Sequence, residues 1–69
     1  MKLSARNVLK GKVKNVVMGP VNAEITIEIP GGAEIVAIVT KTSAESLKLA
    51  AGKEAYAVIK ASQVIVAVD

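Results

Sequence analysis

The sequence predicts an all-β domain of five short strands, with one short helix between the third and the fourth. Three observations predict it. Val, Ile and Ala run far ahead of Leu, the composition of pleated, half-buried surfaces. Apolar and polar residues alternate with a period of two over several stretches. Turn signals at Met18-Gly19-Pro20 and Pro30-Gly31-Gly32 separate those stretches.

Taken in order, Leu9, Gly11 and Val13 alternate with Lys10, Lys12 and Lys14, which predicts a first strand with three lysines toward solvent. Asn15-Val16-Val17 breaks the phase, as a bulge would. Val21, Ala23, Ile25, Ile27 and Ile29 then alternate with Asn22, Glu24, Thr26 and Glu28, the cleanest strand pattern in the chain. Pro30-Gly31-Gly32 turns it into a hairpin with Ala33–Thr40. That third strand is a β-branched run, expected to bury one face in the core and the other against a neighbouring subunit. Thr42 and Glu45 fit a capping box, and Ser43 is an alternative N-cap. The helix is expected to end near Leu49 or Ala50, with Gly52 as its C-terminal cap and Leu47 facing the core. Glu54–Lys60 reads as the fourth strand, Ala61-Ser62-Gln63 as an interruption, and Val64–Val68 as the fifth. This is the element order of an OB-fold-like, five-stranded Greek-key barrel. Small SH3-like barrels give a similar pattern.

Sixty-nine residues imply one domain, 1–69, with a small core. There is no Cys for a disulfide, and with neither Cys nor His there is no zinc staple. The one aromatic residue is Tyr56. Yet 52% of the residues are apolar, more than so small a globule easily hides, and assembly into a multimer resolves both the excess and the missing stability. The net charge of +3 suits anionic partners without reaching that of a polybasic nucleic-acid binder. Without base-stacking rings, single-stranded nucleic acid is not an expected partner. Met1-Lys2-Leu3 leads straight into a polar cluster, so no signal peptide is expected. No apolar run approaches the ~20 residues that span a bilayer. The expectation is a cytoplasmic protein with no membrane partner.

That polar cluster is Ser4-Ala5-Arg6-Asn7, which places a hydroxyl, a guanidinium and a carboxamide within four residues. No carboxylate precedes Glu24. The cluster could hold an anion if the fold brings other donors to it, or it could be an ordinary polar arm leading into a strand.

Ser4-Ala5-Arg6-Asn7, then Leu9-Lys10-Gly11-Lys12-Val13, then Val58-Ile59-Lys60-Ala61-Ser62 together resemble the molbindins, the small molybdenum-binding proteins built from a single molybdate-type TOBE domain. Gly19–Glu24, Ser43 and Gly52–Ala57 extend the resemblance across nearly the whole chain. It implies an OB-type barrel whose subunits pair through an exchanged or extended strand. Three such pairs form a homohexamer, a trimer of dimers, that binds molybdate or tungstate at subunit interfaces. Carried onto this sequence, Ser4, Ala5 and Arg6 form one wall of a molybdate site with Lys60, Ala61 and Ser62, and Asn7 completes the motif, where it could serve structure more than ligand. Thr40 and Ser43 of another subunit match the opposite wall, and Val21 and Asn22 are the candidates for a second oxyanion site on the symmetry axis. Val8 departs from the pattern, since molbindins often carry Gln there. The resemblance implies no organic cofactor and no free metal cation, molybdenum being held only as its oxyanion.

Molybdate is a tetrahedral dianion that only accepts hydrogen bonds, and this residue set offers donors without a carboxylate. Charge-assisted hydrogen bonds from Arg6 and Lys60 are roughly twice as strong as neutral ones. Ser43 near the helix start adds free N–H groups and a favourable dipole end. Against that reading, Ser43 could be only a cap, Lys60 a solvated strand end, and Ser62 the filler of a bulge. Catalysis fares badly, since there is no His or Cys and the carboxylates at 24, 28, 34, 45, 54 and 69 fall on outer faces, turns or ends. The remaining alternatives are a structural OB-type oligomerisation module and a nucleic-acid-binding OB domain.

Overall fold

A computed structural model describes residues 1–69. Four strands form one antiparallel sheet: β1 (Asn7–Met18), β2 (Asn22–Glu28), β3 (Glu34–Thr40) and β4 (Glu54–Ile59), in the order β3-β2-β1-β4. Helix α1 (Lys41–Ser46) follows β3, and a 3-10 turn (Ala61–Gln63) follows β4. The protein is therefore all-β with an OB-like curl. β1 serves two partners, with residues 7–12 pairing with β4 and residues 12–18 with β2. A bulge between Val13 and Asn15 carries the phase break and bends the strand from one partner to the other.

Close packing at that bend explains Gly11. A Cβ there would stand 2.3 Å from the Glu28 carbonyl oxygen and 2.9 Å from an Ile27 methyl, so only glycine admits the crossing of β2 over β1. The β2–β3 hairpin turns through Gly31 and Gly32 at φ of 103° and 98°, as the Pro-Gly-Gly signal requires. The core is made of Val13, Ala23, Ile25, Ile27, Ala44 and Ala57, with no buried polar residue.

Several expectations are corrected. Val64–Val68 is not a fifth strand: it pairs with nothing, and Ile65, Val66 and Val68 are 93%, 85% and 92% exposed. Neither edge strand of the sheet takes it up. β3 and β4, the two sheet edges, face one another across an open apolar groove of about 590 Å3 lined by residues such as Ile35, Val39, Leu49 and Ala57. The outer face of β3 is likewise uncovered, with Val36 and Ile38 exposed. Thr40, rather than Thr42 or Ser43, is the N-cap of α1, because the β2–β3 register keeps Thr40 extended and its Oγ1 accepts the Ser43 N–H at 3.0 Å. Ala44 fills the core in place of Leu47, which is exposed on the groove rim. The helix ends in a Schellman motif, with Leu49 N–H on the Ala44 carbonyl and Lys48 N–H on that of Glu45. Lys48, at φ 54°, holds the left-handed position expected of a glycine, and Gly52 lies in the next turn with its N–H on the Val13 carbonyl.

The lysines of β1 face outward beside acids. Lys10 pairs with Glu54 at 3.7 Å, Lys14 with Glu34, and Lys12 lies in register with both Glu28 and Glu54. The hydrogen bond and the charge of Glu34 raise the Lys14 pKa above the usual lysine value of 10.5.

Candidate functional site

The strand ladder delivers the candidate residues in two groups. The first lies where β1 begins and β4 ends. Asn7 and Ile59 are register partners there, and Asn7 Nδ2 donates to the Ile59 carbonyl at 3.3 Å. Ser4, Ala5 and Arg6 leave this junction on one side, and Lys60, Ala61 and Ser62 on the other. Beyond it the ladder stops, and no main-chain hydrogen bond involves residues 1–6. Past the junction no main-chain hydrogen bond ties the two segments to each other. Lys60 caps the 3-10 turn, which is closed by the amides of Gln63 and Val64. The amides of Ala61 and Ser62, at the open start of the turn, are not among those that close it.

Electrostatically this end is positive. The chain's two ion pairs involve Lys10 and Lys14, so neither Arg6 nor Lys60 is neutralised by a carboxylate. Ala5 and Asn7 are half-buried and the other residues of the two walls are exposed. The group offers cations, hydroxyls and small residues that admit an anion close to the backbone.

The second group sits at the far end of β1. Asn22 pairs with Thr40 across the β2–β3 ladder, and Lys41 N–H donates to the Val21 carbonyl at 2.8 Å. Thr40 Oγ1 donates to Ser43 Oγ at 2.8 Å while accepting the Ser43 N–H. That bond uses one of the two hydroxyl protons, so the Thr40–Ser43 pair keeps one free to donate outward. Val21 and Asn22 thus share one corner with Thr40 and Ser43, although the sequence reading assigned them to separate sites.

The structure brings each group together and keeps the groups apart. They lie at opposite ends of the 12-residue β1, which bends at the bulge between Val13 and Asn15. Sequence reasoning missed Ile59, whose carbonyl anchors Asn7; only the strand register reveals it. No group of three or more His, Cys, Asp or Glu side chains gathers to hold a metal cation, and no helix is long and apolar enough to cross a membrane.

The model of the TOBE domain matches residues 3–66. Over all 69 residues, and the whole of both chains, the sequence is 49% identical to a probable molybdenum-pterin-binding protein of Haemophilus influenzae. The fold superposes on MopII from Clostridium pasteurianum with a TM-score of 0.92, at 42% identity, covering 97% of this chain and all of that one. It superposes on the cytoplasmic molybdate-binding protein ModG, in a form with molybdate bound, with a TM-score of 0.91 at 52% identity, over 94% of this chain and 46% of that one.

Proposed function

This chain belongs to the TOBE domain family, and from that premise we propose that it binds molybdate or tungstate reversibly in the cytoplasm, buffering the oxyanion rather than transforming it. The observation that carries this reading is the Asn7–Ile59 junction, flanked by Arg6 and Lys60, neither of which has a carboxylate partner. A dianion that only accepts hydrogen bonds suits such a surface. Ser4, Ala5, Arg6, Lys60, Ala61 and Ser62 form one wall of the site, and Thr40 and Ser43 of a neighbouring subunit form the other. Val21 and Asn22 belong to a second site beside that corner. The whole of residues 1–69 acts as one oxyanion-binding domain.

Assembly follows from the same reading. The two candidate groups lie at opposite ends of β1, so a site using both is completed by a second chain. The uncovered tail and the open groove between β3 and β4 support pairing through an exchanged strand, and the apolar outer face of β3 supports further association into a hexamer.

Titration calorimetry of ligand-free protein with molybdate, tungstate, sulfate and phosphate tests the function. Saturable uptake of molybdate or tungstate in preference to sulfate is expected. Equal, weak heats from all four anions would refute the reading.

A further inference from the structure

Asn7 makes the one hydrogen bond in the chain that runs from a side chain to the main chain of a distant strand. It does so at the last rung of the β1–β4 ladder, immediately before the chain segments that form the two walls. One of its amide protons is committed to Ile59, and its Oδ1 is an acceptor that an anion would not approach. On one side, residues 1–6 have no main-chain hydrogen bond to hold them. On the other, the 3-10 turn is tied only within itself, by Gln63 to Lys60 and Val64 to Ala61. Asn7 and Ile59 are therefore the last point at which hydrogen bonds tie the two segments to each other.

We infer that Asn7 is a positioning residue of the oxyanion site, not one of its donors: it pins the walls together at their base and sets the gap into which the anion fits. The inference rests on the oxyanion reading above. A pinned gap has a definite width, so it discriminates by size as well as by charge, and Asn7 acts on both through Arg6 and Lys60.

Amide hydrogen exchange on the ligand-free protein, paired with calorimetry, tests this. In Asn7→Ala the protected amides at the end of the ladder, in residues 7–9 and 57–59, and those of Gln63 and Val64 are expected to exchange faster while those of β2 and β3 do not change. Molybdate affinity should fall roughly tenfold, the scale seen for groups that orient ligating residues. The preference for molybdate over sulfate should narrow, and Arg6→Ala should cost less in the Asn7→Ala background than in the wild type. If Asn7→Ala does not fold, Asn7→Ser carries the same comparison, since its hydroxyl is too short to span to Ile59. Unchanged exchange at both segments, or unchanged affinity and selectivity, overturns the inference. So does a loss of affinity with the molybdate-to-sulfate preference intact, which marks Asn7 as a direct donor. Wild-type protein that takes up no molybdate overturns the oxyanion reading and this inference with it. Wild-type binding beside an indifferent Asn7→Ala variant overturns the inference alone.

Discussion

Asn22 and Thr40 face each other across the β2–β3 ladder, so the first residue of one strand sits beside the last residue of the other at the mouth of α1. That pairing puts the hydroxyls of Thr40 and Ser43 at the opposite end of β1 from Arg6 and Lys60. A site drawing on both ends recognises the assembled protein and not the separated chain. Saturating molybdate is expected to stabilise the assembly by about 2.7 kcal/mol per site at a hundredfold excess over Kd, and so to raise the denaturant midpoint for dissociation. Sulfate should do much less, and Thr40→Val with Ser43→Ala should remove most of the shift. Identical midpoints with and without molybdate would place the site within one subunit.

Arg6 contributes a permanent charge with no competing carboxylate. Arg6→Ala should weaken molybdate binding by roughly 1.5–3 kcal/mol, the worth of a hydrogen bond to a charged group. Calorimetry on a variant whose sedimentation matches the wild type is the check. Unaltered affinity would assign Arg6 to structure.

The exposed tail provides a test of assembly that is independent of the ligand. Ile65→Asp with Val66→Asp adds charge where the tail would be buried against another chain, and should shift sedimentation toward the monomer. A stable folded monomer of 7.1 kDa from the unmodified chain at micromolar concentration would refute obligate assembly.

Lys48 holds a left-handed conformation that favours glycine. Lys48→Gly should therefore stabilise the protein by about 0.5–1 kcal/mol if the side chain does nothing else. Chemical denaturation measures the difference, and a lower midpoint would show that the Lys48 side chain has a role of its own.

Because the Lys14 pKa is raised in the folded protein, the ion pair with Glu34 stabilises below the ordinary lysine pKa of 10.5 and is lost as pH rises through the shifted value. Lys14 is exposed at the surface, so the effect is small. Between pH 7 and 9 the Lys14–Glu34 contribution should be flat. Above pH 10.5 the wild-type midpoint should fall more steeply than that of Glu34→Gln, and parallel curves would show the pair contributes nothing.

The strand pattern was legible because alternation survives in a single chain. Ile25 and Ile27 point inward wherever β2 is paired. Val64–Val68 has the same composition but needs an edge to pair with, which no local pattern supplies. The helix boundaries were ambiguous for a related reason. Thr40, Thr42 and Ser43 can all cap a helix, and the β2–β3 register chooses Thr40. Gly52 was the more plausible C-terminal cap by residue type, whereas the Schellman bonds select Lys48 by position. At the candidate site, Ser4–Asn7 stood out through its donors, and the molbindin resemblance named both walls. What the sequence could not display is the junction itself, because the partner of Asn7 is a main-chain carbonyl 52 residues away.

The acids beside Lys10, Lys12 and Lys14 have a consequence for larger polyanions. A nucleic-acid backbone binds by laying successive phosphates along a row of free cations and shedding condensed counterions as it does so. On the outer face of β1 each lysine already has a carboxylate beside it, so a phosphate chain finds no counterion-releasing track there. Arg6 and Lys60, which flank the Asn7–Ile59 junction, carry charge that no ion pair matches.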